Sequence, residues 1–190
     1  MLDVLLVAAT ERELDGRDGL VCGVGPVEAT AATARALALR SFGAVLHVGV
    51  AGGRGLPLRT VVVGTEAIYA DIAAGIPVLS STLPDPGLLA AACAALPEAP
   101  ALPITTSAAV GRGRAAIEST AVEAMEGFGV LRAAALAGVP ALEIRAVSNE
   151  IGEEDRSRWD IAGAVAALQA ALPLLLAALA AESRGAAGQR

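Results

Sequence analysis

Residues 26–53 read PVEATAATARALALRSFGAVLHVGVAGG, and the two halves of this stretch follow different rules. The first half opens on Pro26, a residue pre-set for the first turn of a helix, and continues to Arg40 mostly in Ala, Leu and Arg, the strong helix formers. After Ser41-Phe42-Gly43 comes Ala44–Val48, a short apolar run of the kind found in strands buried on both faces. The same alternation extends in both directions along the chain. Strands are expected at Val4–Ala8, Gly19–Gly23, Ala44–Val48, Thr60–Tyr69, Ile104–Ala109 and Ala141–Val147. Helices are expected at Pro26–Arg40, Gly87–Leu96, Glu123–Ala137 and Asp160–Ala181. Short strands alternating with long Ala/Leu helices define an α/β domain in which a sheet lies between helices. The Pro/Ser/Thr-containing stretch between Asp71 and Pro86 reads as a loop or a partly extended segment. The polar SRGAAGQR at 183–190 reads as a frayed, disordered tail, which leaves 1–182 as one domain.

Composition narrows the function classes. The chain has 190 residues, 55% hydrophobic and 18% charged, with a mean hydropathy of +0.61, so it must bury a core and cannot be a disordered or charged tail. Aromatic residues supply only 2%, so Ala, Val and Leu fill the interior and the helices pack closely across small side chains. All 14 basic residues are Arg, set against 20 acidic ones for a net charge of −6. Nucleic-acid binding through phosphate neutralisation needs the opposite balance. Cys22 and Cys93 sit in apolar runs without metal or redox spacing and read as small core residues of a cytoplasmic protein. The N-terminus carries Asp3 and no basic segment, unlike a signal peptide. The uncharged stretch from Ile161 to Ala181 is long enough to span a bilayer. About half of it is Ala, it contains Gln169 and Pro173, and no basic cluster flanks it, so a buried core helix is expected and no membrane partner.

Four motifs carry candidate chemistry. GVGPVEAT at Gly23–Thr30 follows a strand and opens a helix, a place where backbone amides can hold an anion. It lacks the third glycine of a dinucleotide fingerprint, and no acidic residue stands at the next strand end. HVGVAGG at His47–Gly53 reads as a strand running into a glycine loop where a ligand can approach the backbone. His47, the single histidine, lies inside that strand and reads as a hydrogen-bonded core residue. Glu13, just after the first strand, and Glu126, in an apolar helix beside Met125, are carboxylates at positions that converge on one crevice in an open α/β sheet. Finally, EIRAVSNEIGEEDRSRWD at 143–160 ends a strand in Ser148 and Asn149 and continues into a charged loop with the single Trp, Trp159.

In order along the chain, VAATERE, VCGVGPVEAT, HVGVAGG, TEAIYAD, VEAMEG and IRAVSN resemble the sequence blocks of the nucleoside phosphorylase superfamily, especially its hydrolase branch. The resemblance covers nearly the whole chain. It implies a three-layer α/β/α domain with a central mixed, partly barrel-like sheet, a homodimer or higher homo-oligomer, a nucleoside substrate, and no metal or organic cofactor. By position, Glu13 matches the carboxylate that activates water and Glu126 the residue that binds the ribose hydroxyls. Met125 matches the residue packed under the sugar, Asn149 and Ser148 the base-recognition corner, and Arg145 a residue that supports that corner. Val50, Ala51 and Gly52 match the glycine loop beside the substrate. Two departures stand out: Val50 replaces a hydroxyl residue common near the water, and TTSAAVG at 105–111 has no aromatic where the base is commonly stacked. Adenine-releasing members of the branch carry Asp where this chain has Asn149.

Three activities fit these residues: an N-ribosyl hydrolase, a phosphorolytic transferase, and a nucleoside-binding protein without catalysis. Cleaving an N-glycosidic bond develops positive charge on the sugar, which carboxylates stabilise while one of them deprotonates water. Phosphorolysis calls instead for a cluster of cations and hydroxyls. Arg17, Arg54 and Arg112 are the cations near the relevant loops and form no such pattern, so water is the expected nucleophile.

Overall fold

A computed structural model describes residues 3–72, 74–109 and 120–187. In chain order the elements are β1 (Val4–Ala8), α1 (Glu11–Leu14), β2 (Leu20–Val21), α2 (Pro26–Leu39), β3 (Ala44–Gly53), β4 (Val61–Tyr69), β5 (Ser81–Thr82), α3 (Pro86–Ala95), β6 (Ala101–Thr106), β7 (Val122–Ala124), α4 (Gly127–Ala137), β8 (Ala141–Glu150), a 3-10 turn at Arg156–Arg158 and α5 (Ile161–Ala187). Local chemistry explains several of the boundaries. Asp85 caps α3 by accepting from Gly87 N at 2.9 Å and Leu88 N at 3.0 Å, with Pro86 in the first turn.

All eight strands belong to one sheet. β2, β1 and β3 run parallel side by side, and β8 pairs in parallel with β3 and antiparallel with β4. From β4 the pairing continues to β6, then β7, and returns to β3. The five strands β3, β8, β4, β6 and β7 therefore close on themselves, and their inward residues Ala51, Val62, Ile104, Val122, Ala124 and Val147 fill the ring. On the open part of the sheet, alternate residues face opposite layers. Leu5, Val7 and Val45 pack with Ala29 of α2 and Val130 and Ala134 of α4, while Leu6, Ala8, Leu46 and Val48 pack with Leu88 of α3 and Leu168, Leu172 and Leu175 of α5. The result is the expected α/β/α arrangement with a partly barrel-like sheet.

The long apolar stretch is α5, whose buried stripe of Ala164, Leu168, Leu172, Leu175 and Leu179 follows helical spacing and lies in the core. The helix continues through Pro173 to Ala187, into the stretch expected to fray, and residues 188–190 lie outside those described.

Three expectations need correction. The strand of the HVGVAGG segment does not end at Val48 but runs to Gly53, because β7 and β8 both pair with its glycine end. The strand expected at Ile104–Ala109 lies earlier, at Ala101–Thr106, where it pairs with β4. Glu123 does not start a helix: Val122–Ala124 is a strand, and the helix begins at Gly127 with Glu126 at its N-cap. Pairing with β3 and β6 overrides the helix-favouring composition there.

Candidate active site

The carboxyl-terminal ends of β1, β3 and β8, together with β7 and the turn that follows it, surround a cavity of about 340 Å³. Its walls are Ala9, Thr10, Arg12, Glu13, Val24, Val50, Ala51, Gly52, Glu123, Ala124, Met125, Glu126, Ser148, Asn149, Trp159 and Ile161. The location is the crevice that an α/β sheet creates beyond its strand ends.

Beneath the cavity lies Arg145, 1% exposed, from the middle of β8. Its Nε donates to Glu143 Oε1 at 2.8 Å, its Nη2 to Glu126 Oε2 at 3.2 Å, and its Nη1 to the Val50 carbonyl at 3.3 Å. Nη2 also stands 2.5 Å from His47 Nε2, while His47 Nδ1 is 3.0 Å from the Val7 carbonyl. The consistent tautomer has Nδ1–H donating to Val7 and the Nε2 lone pair accepting from Arg145. Burial and the neighbouring guanidinium both push the His47 pKa well down, so the ring is neutral, a core histidine as expected. Burial opposes the charge of Arg145, but Glu143, Glu126 and Glu13 outweigh it and raise its pKa. Burial likewise raises the Glu143 carboxyl against the pull of Arg145. Arg145 fixes the Glu126 side chain from below. From the opposite direction Gly25 N, at the start of α2, donates to Glu126 Oε1 at 3.0 Å. The helix start in GVGPVEAT therefore does hold an anion, and that anion is the protein's own Glu126.

Glu13 is held as tightly by different means. α1 opens on a capping box in which Thr10 N and Thr10 Oγ1 donate to Glu13 Oε2 at 3.0 and 2.9 Å. Val50 N of β3 donates to Oε1 at 3.0 Å. Gln169 of α5 donates to the Glu13 carbonyl at 2.7 Å, which ties the turn to the helix layer. The side chain can come so close to β3 because residue 49 is glycine: a Cβ there would collide with the Glu13 carboxylate and the Arg145 guanidinium. At the far wall the Ser148 hydroxyl donates to Asn149 Oδ1 at 2.8 Å, and Asn149 Nδ2 donates to the Glu150 carbonyl at 3.0 Å. One Nδ2–H remains available. The Ser148 carbonyl accepts from Asp160 N at 2.8 Å, so the charged loop carrying Trp159 is anchored beside this corner.

The structure thus brings Glu13, Val50, Ala51, Gly52, Met125, Glu126, Ser148 and Asn149 to one cavity, with Arg145 directly behind them. Neither Arg17 nor Arg54 lines it: Arg17 Nε donates to Gln169 Oε1 at 2.7 Å and Arg54 Nε to the Thr120 carbonyl at 3.3 Å. Arg112 lies outside the described residues, as do the last two of the TTSAAVG segment. Sequence reasoning missed Thr10, Arg12, Val24, Glu123 and Ile161 as lining residues. The box spacing of Thr10 and Glu13 was a usable signal for the first. For Glu123 the helix assignment concealed the strand that turns it to the cavity.

Both the sequence and the fold that holds this cavity have counterparts among known proteins. The chain belongs to the phosphorylase superfamily, whose family model matches residues 19–181. Within that superfamily it is 39% identical over 178 residues to the futalosine hydrolase of Streptomyces coelicolor, covering 81% of this chain and 76% of the relative. It is 34% identical over 207 residues to the futalosine hydrolase of Acidothermus cellulolyticus, covering 96% and 84%. Among solved structures, a 5′-methylthioadenosine/S-adenosylhomocysteine nucleosidase from Colwellia psychrerythraea in complex with adenine superposes with a TM-score of 0.83 at 22% identity, over 94% of this chain and 96% of that one. A futalosine hydrolase mutant of Helicobacter pylori superposes with a TM-score of 0.83 at 18% identity, over 93% and 99%. These two show the shared fold.

Proposed function

We propose that this protein is a futalosine hydrolase. It cleaves the N-glycosidic bond of futalosine with water, releasing hypoxanthine and dehypoxanthinyl futalosine for menaquinone biosynthesis. The observation that carries this reading is the convergence of Glu13, Glu126 and Asn149 on one cavity in a chain 39% identical to a futalosine hydrolase.

In this reading Glu13 is the general base. Three donors aim its carboxylate, so a water that hydrogen-bonds to it is positioned without reorganisation as the sugar gains charge. Glu126, clamped between Gly25 N and Arg145, accepts from the ribose hydroxyls over Met125. As the glycosidic bond breaks, its electron pair goes to the purine and the water proton to Glu13. Asn149 supplies the donor for N7 and O6 of the leaving 6-oxopurine, Ser148 orients that carboxamide, and Arg145 positions the carboxylates. The nearby backbone of Val50, Ala51 and Gly52 completes the sugar side.

Water is favoured over phosphate because Arg12 is the only cation among the described residues lining the cavity, where phosphate would call for several. The enzyme acts in the cytoplasm as a homo-oligomer, a reading supported by Ile76, Leu79 and Leu83, which are 71%, 52% and 71% exposed on the single chain.

The test is to run the reaction on futalosine in ¹⁸O-labelled water, with and without phosphate. The expected result is free hypoxanthine at the same rate in both, with label at the anomeric carbon of the sugar product. An unlabelled sugar phosphate would assign the site to phosphorolysis.

A further inference from the structure

Arg12 plays no part in the mechanism above, yet it is the one cation among the described residues that line the cavity. Glu13, Glu123 and Glu126 line the same cavity, so its charged walls are otherwise acidic and an anion placed among them meets like charge. Arg145 does not change this for a ligand. It is 1% exposed behind the wall, and its guanidinium is engaged by Glu143, Glu126, His47 and the Val50 carbonyl. A ligand that brings a negative charge into this cavity therefore has one favourable place for it, beside Arg12.

The backbone under Arg12 is fixed while its charged end is open. The residues that follow it in α1, Glu13 and Leu14, are buried, and Gln169 of α5 donates to the Glu13 carbonyl at 2.7 Å. The same Gln169 accepts from Arg17 Nε at 2.7 Å, so the other arginine of this turn is committed to the helix layer. Arg12 itself is exposed, and no hydrogen bond or ion pair with a described residue holds its guanidinium. Trp159 and Ile161 add apolar surface to the same cavity, and Trp159 is held in place by donating from Nε1 to the Glu153 carbonyl at 3.0 Å. An open guanidinium and an apolar wall suit a group that is flat, apolar and negatively charged at one edge.

We propose that Arg12 is a specificity-determining residue for the far end of the nucleoside, whose guanidinium donates to a carboxylate carried on the 5′ substituent. This rests on the reading of the site as that of a futalosine hydrolase: futalosine bears a carboxylate on the aryl group of its 5′ substituent, where methylthioadenosine bears an uncharged methylthio group. With the base assigned to Asn149 and the sugar to Glu126 and Met125, the substituent is the part of the substrate left for Arg12. The planar guanidinium matches a carboxylate with two parallel N–H···O bonds, which an ammonium cannot reproduce. Because Arg12 is exposed, an uncharged substituent leaves it hydrated at no cost, so it selects by attracting the anion and not by rejecting neutral groups.

The experiment measures equilibrium binding of dehypoxanthinyl futalosine and of its carboxylate methyl ester, neither of which has a glycosidic bond to the base left to break. Calorimetry is run on the unmodified protein, Arg12→Gln and Arg12→Lys, with melting curves to verify folding. The ester keeps the aryl group and removes the charge. The unmodified protein should prefer the acid by at least about fivefold at low salt, and less as salt is added. Arg12→Gln should bring the ratio to within about twofold by weakening the acid alone, while Arg12→Lys, which keeps the charge without the fork, should keep part of the preference. Equal binding of acid and ester by the unmodified protein, or binding of neither, would overturn the proposal, and so would an undiminished preference in a folded Arg12→Gln. Futalosine cleavage is read separately: if the acid is preferred with this pattern but futalosine stays intact, the hydrolase assignment fails and the role of Arg12 stands. If futalosine is cleaved while acid and ester bind alike, the role of Arg12 fails and the assignment stands.

Discussion

The two sides of the cavity treat their carboxylates in opposite ways. On the Arg145 side both Glu13 oxygens and both Glu126 oxygens have donors, drawn from a capping box, a strand amide, a helix start and a buried guanidinium. On the Gly52 side Glu123 Oε1 has none, and Asn149 keeps one N–H in reserve. Glu13 and Glu126 are anchored before substrate arrives, as suits groups that must meet developing charge without rearranging. The spare Asn149 N–H is taken up only by a ligand, as suits a group that distinguishes one base from another, since a wrong base leaves it unpaired.

This contrast can be broken most severely at its centre. Arg145→Met should destabilise the protein by about 3–5 kcal/mol at neutral pH, because it leaves Glu126 and Glu143 buried without their cation. The sign with pH follows from Glu143, whose pKa is already raised by burial. A carboxyl raised above its unfolded value burdens the native state at high pH, and the burden lifts as pH falls through the raised value. The variant should therefore recover stability relative to the unmodified protein on mild acidification, as followed by chemical denaturation across a pH series. A smaller effect is expected from Glu13→Gln, which keeps the shape of the group but removes the base. Folding and substrate binding should persist while base release falls at least about a hundredfold, measured by single-turnover kinetics. Near-normal turnover would remove Glu13 from the role of base.

The same division explains what was legible in the sequence. Glu13 and Asn149 stand at strand ends, and strand ends can be located from local apolar runs; their convergence follows from the fold class alone. Val4–Ala8 is apolar at every position, which marks a strand covered on both faces but does not say which side chain meets which helix layer. Ring closure is another matter. β8 pairs with both β3 and β4, and nothing in the residues of one strand states how many partners it has. Glu123 shows the cost. Its surroundings, AVEAMEGFG, favour a helix by composition, and only pairing with Gly52 and Thr105 makes it a strand residue aimed at the cavity. Arg145 was legible only as a supporting residue through resemblance, since its partners come from positions 47, 50, 126 and 143.

The central claim is that the cavity hydrolyses a 6-oxopurine nucleoside, with Asn149 reading the base. It is tested most directly by competition. Futalosine and methylthioadenosine are supplied together to the unmodified protein and to Asn149→Asp, and hypoxanthine and adenine are separated by chromatography. The free Asn149 N–H can serve the adjacent N7 and O6 acceptors of hypoxanthine, whereas adenine presents an amine beside N7. One mispaired buried donor costs about 1–3 kcal/mol, roughly one to two powers of ten in selectivity. The unmodified protein should release hypoxanthine faster by at least that factor, and Asn149→Asp should narrow or reverse the ratio. Equal or faster release of adenine by the unmodified protein would contradict the assignment and place the chain with the adenosine-type nucleosidases.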